Sequence, residues 1–352
     1  MTLDRLSIQG VRNLEPVELC PGAGLNWLSG PNGAGKTSVL EALYVLARGR
    51  SFRTHRLSSV IQHGVQSLRV VARRLDDQRR LGMERSADSW RGRIDGRDCQ
   101  RLSEFAAALP LVLMEPDSHR LIDGGPDHRR QFLDWQLFHV EPSYLDTWRR
   151  YARFLRQRNA ALKAGAPDRV LEALEGPMIR AGDQLNHWRE GQVAAVAESV
   201  TRLGAELGLR LPGVIELNYR RGHPPDQGLA ESLEEFRQRD RELGYTRRGP
   251  HRADLLLSSG GRSAAQELSR GQQKLLALLL LLAKLELVAE QGERRPILLL
   301  DDPVSELDDA HLDQLLAWLS AQAVQVWVTA TSECPVQATM FHVERGQIRS
   351  VV

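Results

Sequence analysis

The sequence predicts an α/β protein: a mixed sheet carrying a phosphate-binding loop, interrupted by an inserted, mainly helical arm. Three observations predict it. Gly30-Pro31-Asn32-Gly33-Ala34-Gly35-Lys36-Thr37 matches G-x-x-x-x-G-K-[ST], the loop whose backbone N–H groups wrap a nucleotide's phosphates. The apolar run from Pro296 to Leu300 ends in Asp301-Asp302, the pattern of a buried parallel strand that delivers carboxylates to its C-terminal edge. Between these motifs, from about Asp123 to Leu211, apolar residues recur at helical spacing.

Residues 3–11 alternate apolar and polar, as a half-buried strand does, and Pro21-Gly22-Ala23-Gly24 is a turn. The apolar stretch Leu25–Ser29 predicts a short buried strand entering the loop, and residues 38–47 predict a helix leaving it. The loop glycines permit close backbone approach, and the helix N-terminus adds unpaired N–H groups and a positive dipole end. In that setting Lys36 would hold the β- and γ-phosphates, and Thr37 would place its hydroxyl on Mg²⁺. The Arg and His side chains of Ser51-Phe52-Arg53-Thr54-His55-Arg56 reach phosphates or base, or belong to a solvated loop; both readings stand. Residues 68–94 predict antiparallel strands with a hairpin on Asp95-Gly96, and residues 109–114 a buried strand ending at Glu115-Pro116.

Three segments are expected: residues 1–122 as the N-terminal half of the head, 123–211 as the arm, and 212–352 as its C-terminal half. In the arm, residues 144–163 put Arg149, Arg153, Arg156 and Lys163 on one helix face and Trp148, Tyr151, Leu155 and Leu162 on another. Gly176-Pro177 is expected to break the next helix, with a longer one following through Leu185, Trp188, Val196 and Leu203. Strand character returns over residues 214–219, followed by a basic loop, residues 244–254, and a further strand over residues 255–257. Ser269 followed by Gln272 is a capping box opening an apolar helix; alone it marks only a good helix start. Asp301 would hold Mg²⁺, directly or through water, and Asp302 would orient or deprotonate the attacking water, so Lys36, Asp301 and Asp302 are the candidate catalytic residues. The other reading of Asp301-Asp302 is a helix-capping pair. A last core strand over residues 324–328 ends at Thr329-Ala330-Thr331.

Composition narrows the class. The 352 residues carry a net charge of +2, so any nucleic-acid surface must be local. Apolar residues at 42% and charged ones at 26% are the balance of a soluble globular protein. The three scattered cysteines give no disulfide or zinc spacing and favour a cytoplasmic protein. No apolar run approaches the ~20 residues of a membrane span, so no membrane association is expected.

In order, G-x-x-G-x-G-K-T, L-S-x-G-Q, hydrophobic-D-D and S-x-L-D resemble the motif series of the ABC-type ATPase superfamily. The stretches GPNGAGKTSVLE, RSFRT, YTRRGPHRAD, LSRGQQK and LDDPVSELD are similar to its SMC-like DNA-repair branch, and the likeness runs from first strand to last. The resemblance implies an ABC-type ATPase head that uses ATP and Mg²⁺ and dimerises when ATP is bound. It implies a weak, DNA-stimulated ATPase acting on single- and double-stranded and gapped DNA with RecR and RecO, in replication, recombinational repair and the SOS response. It further implies a split site, in which Ser269, Gly271 and Gln272 of one chain face the nucleotide loop of another. Two departures from the superfamily pattern, Asp302 for Glu and Thr329-Ala330-Thr331 for a switch His, suggest slow hydrolysis. The usual middle-strand Gln is not evident, and Glu115 and Asp117 are the candidates for its place. Candidate DNA contacts are Arg129, Arg130, Arg149, Arg153, Arg156, Arg247 and Arg248, with a solvated face as the other reading. The rivals are the energising subunit of a membrane transporter, disfavoured by the arginine-rich insert, and an ATP sensor without turnover, disfavoured by the carboxylate pair.

Overall fold

Three apolar stretches far apart in the chain, Leu25–Ser29, Ile297–Asp301 and Val326–Ala330, become strands buried at nearly every position. Strands without polar alternation belong inside a sheet covered on both faces. In the computed structural model, which describes residues 1–292 and 294–351, they form the centre of a six-stranded sheet. Its order is Gln347–Val351, Thr339–Glu344, Leu25–Ser29, Val326–Ala330, Ile297–Asp301, Leu111–Met114, and all neighbours are parallel except the first pair. The register sets Asp301 beside Thr329 and Ala330 beside Ser29. Three strand ends therefore finish together at one edge.

The described residues divide into two compact units: Met1–Ser118, Ala205–Leu209 and Lys284–Val352 in the first, His119–Gly204 and Arg210–Ala283 in the second. This partition differs from the three expected segments, because residues 212–283 cluster with the helical unit. The strands Ile215–Arg220, Asp254–Ser259 and Arg262–Ser263 pair into a sheet of their own instead of extending the core sheet.

The first unit also holds an antiparallel sheet ordered Val17–Leu19, Leu3–Gln9, Leu68–Arg74, Arg80–Arg85, Trp90–Ile94, Arg97–Asp98. Its last hairpin turns at Asp95 and Gly96, both at positive φ, as a two-residue Asp-Gly turn requires. Helix Lys36–Arg48 joins the two sheets in one core: Val39, Leu40, Leu43 and Leu46 pack with Ile8, Val70, Leu299 and Trp327. The buried Gln325 side chain accepts from Leu3 N at 3.0 Å and donates to Leu3 O at 2.8 Å and Gly22 O at 2.7 Å.

In the second unit, helices Pro126–Val140, Tyr144–Lys163 and Asp168–Glu206 share a core of Leu137, Tyr144, Tyr151, Met178 and Leu185. The expected break at Gly176-Pro177 does not occur. Asp168–Glu206 runs through Pro177 as one helix of 39 residues, roughly 58 Å long. Proline removes one hydrogen bond, but Leu171, Met178, Ala181 and Leu185 bury one continuous face on either side of it. Tyr151 and Leu162 face inward as expected, whereas Trp148 is 41% exposed.

Candidate active site

Lys36 opens the helix directly from a loop that only glycine can build. Gly30 has φ 150° and Gly35 φ 118°, and a Cβ on Gly30 would meet Val343 O at 2.1 Å. Lys36 is 8% exposed, and its ammonium donates to Gly30 O at 2.7 Å and Pro31 O at 3.0 Å. Burial lowers its pKa, while Asp302 and Asp301 act to raise it.

The carboxylate pair closes the other side. Thr37 Oγ1 donates to Asp301 Oδ1 at 2.7 Å, and Thr329 Oγ1 donates to the same oxygen at 2.8 Å. The Thr329 hydroxyl also accepts from Asp302 N at 2.9 Å. Burial raises the Asp301 pKa, against the two hydroxyl donors and the Arg53 charge; the Asp302 charge adds to the rise. Asp302 adopts the left-handed conformation, φ 53° and ψ 52°, a strained state for a non-glycine residue that clusters at functional positions. Its Oδ2 accepts from Ser305 Oγ at 2.6 Å, and its buried Oδ1 has no partner among the described residues. Asp302 does stand at the start of the short helix Pro303–Glu306, but without a side-chain cap bond. The capping role belongs to Asp308, which accepts from His311 N at 3.0 Å.

A cleft of about 540 Å³ is lined by Lys36, Thr37, Asp302, Arg12, Asn13 and Arg53 among others, with Asp301 behind Thr37 and not itself among the lining residues. Arg12 and Asn13 escaped sequence reasoning, because a polar pair just past a strand end is their one local signal. Asn13 Nδ2 donates to Gly33 O and Ala34 O, each at 3.3 Å, bracing the loop. Of the basic residues in Ser51–Arg56, Arg53 lines the cleft, and His55 and Arg56 are not among its lining residues. Neither Glu115 nor Asp117 is among them either.

The expected capping box opens helix Arg270–Gln291: Ser269 N donates to Gln272 Oε1 at 2.9 Å, and Gln272 N to Ser269 Oγ at 3.4 Å. Ser269 and Gly271 are exposed there, and a Cβ on Gly271 would meet nothing.

The candidate arginines separate into two kinds. Arg129 and Arg130, expected as DNA contacts, turn inward. Arg129, with a side chain 12% exposed, donates to Asp254 Oδ1 at 2.8 Å and Gly124 O at 2.6 Å; Arg130 donates to Ala253 O at 2.6 Å and pairs with Asp127. Both brace the start of strand Asp254–Ser259. Arg153, Arg156 and Arg247 are exposed, Arg149 lies 3.4 Å from Asp146, and Arg248 stacks over Phe236 at 4.1 Å.

A glycine loop with its lysine, a Thr–Asp pair at the end of a parallel strand, and a capped L-S-x-G-Q helix define a phosphate-loop ATPase with an ABC-type head. The RecF/RecN/SMC N terminal domain model matches residues 2–344. DNA replication and repair protein RecF of Stenotrophomonas maltophilia is 42% identical over 369 residues, covering all of both chains. RecF of Pseudomonas fluorescens is 40% identical, covering 99% of this chain and 98% of its own. Among solved structures, the recombination mediator protein RecF-ATPrS in the RecFOR pathway matches with TM-score 0.87 at 25% identity, covering 99% of this chain and 98% of its own. The fold extends to an Smc head bound to the C-winged helix domain of ScpA, with TM-score 0.61 at 16% identity, covering 100% and 97%. The chain belongs to the RecF family of DNA replication and repair proteins, SMC-like ATPases, and is not a transporter subunit. Among the described residues no helix is long and apolar enough to cross a membrane.

Proposed function

We propose that this chain is an ATP switch for DNA: ATP binding drives dimerisation on single- or double-stranded and gapped DNA, and slow hydrolysis resets it. The single observation that carries this reading is Asp301 Oδ1, held by Thr37 and Thr329 beside Lys36 and the orphaned Asp302 Oδ1. Lys36 and the loop N–H groups of Gly30 to Thr37 would hold the phosphates. The Thr37 hydroxyl and Asp301 carboxylate are hard oxygen donors side by side, which suits Mg²⁺. That ion takes one or two protein ligands and completes its shell with phosphate and water, so the lack of a three-ligand cluster among the described residues is in keeping. When bound, Mg²⁺ neutralises charge on the transferring phosphoryl group. The free Oδ1 of Asp302 suits a water aligned for attack, and its partner Ser305 and left-handed backbone fix its aim. Thr329 is committed to the carboxylate pair, in keeping with slow turnover.

The exposed start of the Ser269 helix, with N–H groups at its end, suits the γ-phosphate on a second chain. Dimerisation would then depend on that phosphate, because the contact exists in only one nucleotide state. The curated relatives act in DNA replication and repair, and a RecF structure belongs to the RecFOR pathway; we carry over RecR and RecO as partners, recombinational repair and the SOS response as the setting, and the cytoplasm as the place. Titrating gapped DNA at several salt concentrations, with and without ATP, tests the reading. Affinity should fall steeply with salt, because phosphate contacts release counterions, and should rise with ATP. Salt-independent affinity, or no gain from ATP, would contradict it.

A further inference from the structure

Glu41 is fully buried on the helix that leaves the nucleotide loop, yet it carries an ionisable carboxyl group. Three donors meet it. Arg12 Nε donates to Oε2 at 2.8 Å, Arg12 Nη2 to Oε1 at 2.8 Å, and the Ser51 hydroxyl to Oε1. The two contacts to Arg12 are a bidentate fork that fixes the plane of the guanidinium, and Arg12 Nη1 extends to Ser59 O at 2.7 Å. Ser51 Oγ in turn accepts from Arg53 N at 3.0 Å and Thr54 N at 3.2 Å, a hydroxyl-centred turn that sets the course of the backbone at Arg53. Arg12 and Arg53 both line the nucleotide cleft, while Glu41 does not.

We propose that Glu41 is a positioning residue for the nucleotide: one buried carboxylate holds Arg12 directly and Arg53 through Ser51, so two cationic groups on the cleft share one anchor. The proposal rests on the nucleotide reading above. A buried carboxylate that loses its partner is strongly unfavourable, which makes Arg12 the strongly held arm. The Ser51 arm acts through backbone only. The Arg53 guanidinium is exposed and has no ion pair or hydrogen bond among the described residues, so it stays available to an anion. Its charge already reaches Asp301, where it opposes the effect of burial.

The test is a set of double-mutant cycles read by displacement of a fluorescent ATP analogue, with urea unfolding measured in parallel. Glu41→Gln keeps the shape and removes the charge, and should weaken ATP by about tenfold, the scale of one charge-assisted hydrogen bond. Combined with Arg12→Gln and Arg53→Ala, it should weaken ATP by less than about twofold more, because the arms through which it acts are gone. Ser51→Ala should weaken ATP only when Arg53 is present, and independently of Arg12. Multiplying effects between Glu41→Gln and the two arginine changes, or between Ser51→Ala and Arg53→Ala, would overturn the proposal and make Glu41 a plain structural ion-pair partner. Should Glu41→Gln fail to fold, the Ser51→Ala and Arg53→Ala cycle decides by itself: coupling supports the anchor and additivity overturns it. Undiminished ATP binding by Lys36→Met would instead overturn the site reading.

Discussion

The Thr37 hydroxyl donates to Asp301 Oδ1 at 2.7 Å across 264 residues of chain. That bond ties the glycine loop to the end of strand Ile297–Asp301, and it leaves the two neighbouring carboxylates in different surroundings. Asp301 Oδ1 accepts from both Thr37 and Thr329, whereas the buried Oδ1 of Asp302 has no partner among the described residues. Asp301→Asn should therefore weaken Mg²⁺-dependent ATP binding by about tenfold or more. Asp302→Asn should leave binding within about twofold and slow hydrolysis at least about a hundredfold. Binding and turnover measured on both variants check this; identical behaviour, or reversed roles, would contradict the division of labour.

Lys36→Met removes the ammonium that Gly30 O and Pro31 O hold in place. In the proposed role on the β- and γ-phosphates, loss of this cation should lower ATP affinity or turnover by about a hundredfold or more. Its fold should survive, which unfolding followed by circular dichroism would verify.

Arg158 is completely buried, with Glu175 Oε1 at 2.9 Å, Asp240 Oδ2 at 2.7 Å and Thr246 Oγ1 at 2.8 Å. Arg158→Met would leave the buried Asp240 without its cation, Glu175 keeping Arg237 at 2.7 Å, and should cost about 3–5 kcal/mol in urea unfolding. Arg156→Ala, two residues earlier and exposed, should stay within about 0.5 kcal/mol. Equal effects would show that the buried cluster contributes little.

His251 is locked neutral by its neighbours. Thr246 O can only accept, so Nε2 carries the proton at 3.0 Å, and Nδ1 accepts from the Tyr151 hydroxyl at 2.7 Å. Burial, with the charges of Arg252, Arg130 and Arg158, lowers its pKa from 6.5 to about 4, against the Thr246 hydrogen bond. The unfolded chain takes up a proton that the folded chain refuses. Stability is therefore complete above pH 6.5 and is lost as pH falls towards 4, by up to about 3 kcal/mol. Comparing unfolding of the parent and His251→Gln across that window isolates the effect, and parallel curves would refute it.

What the sequence could reveal depended on how local the cause was. The glycine loop, the strand ending at Asp301 and the Ser269 capping box are each written within a few neighbouring residues, and each was legible. Arg12, Glu41 and Thr329 were not, because their roles arise from partners brought close only by the fold: Glu41 from Arg12, Thr329 from Asp301. Arginine direction was equally hidden. Helical spacing could not tell that Arg158 turns into the core while Arg153 and Arg156 remain outside. Pro177 misled for the opposite reason: a strong local signal yielded to the buried face that continues past it.

The central claim is that each nucleotide site is shared by two chains. Lys36→Met damages the loop and spares the signature helix; Ser269→Arg obstructs the exposed helix start and spares the loop. The direct measurement is ATPase activity of the two variants, alone and mixed in equal amounts. Alone, each should be inactive. Mixed, about half the dimers pair one of each, and one of their two sites is intact. The mixture should then recover about a quarter of the parent's activity, less if the sites are strictly cooperative. Full turnover and full ATP-dependent dimerisation by Ser269→Arg alone would contradict the shared site and leave Ser269 as a helix cap.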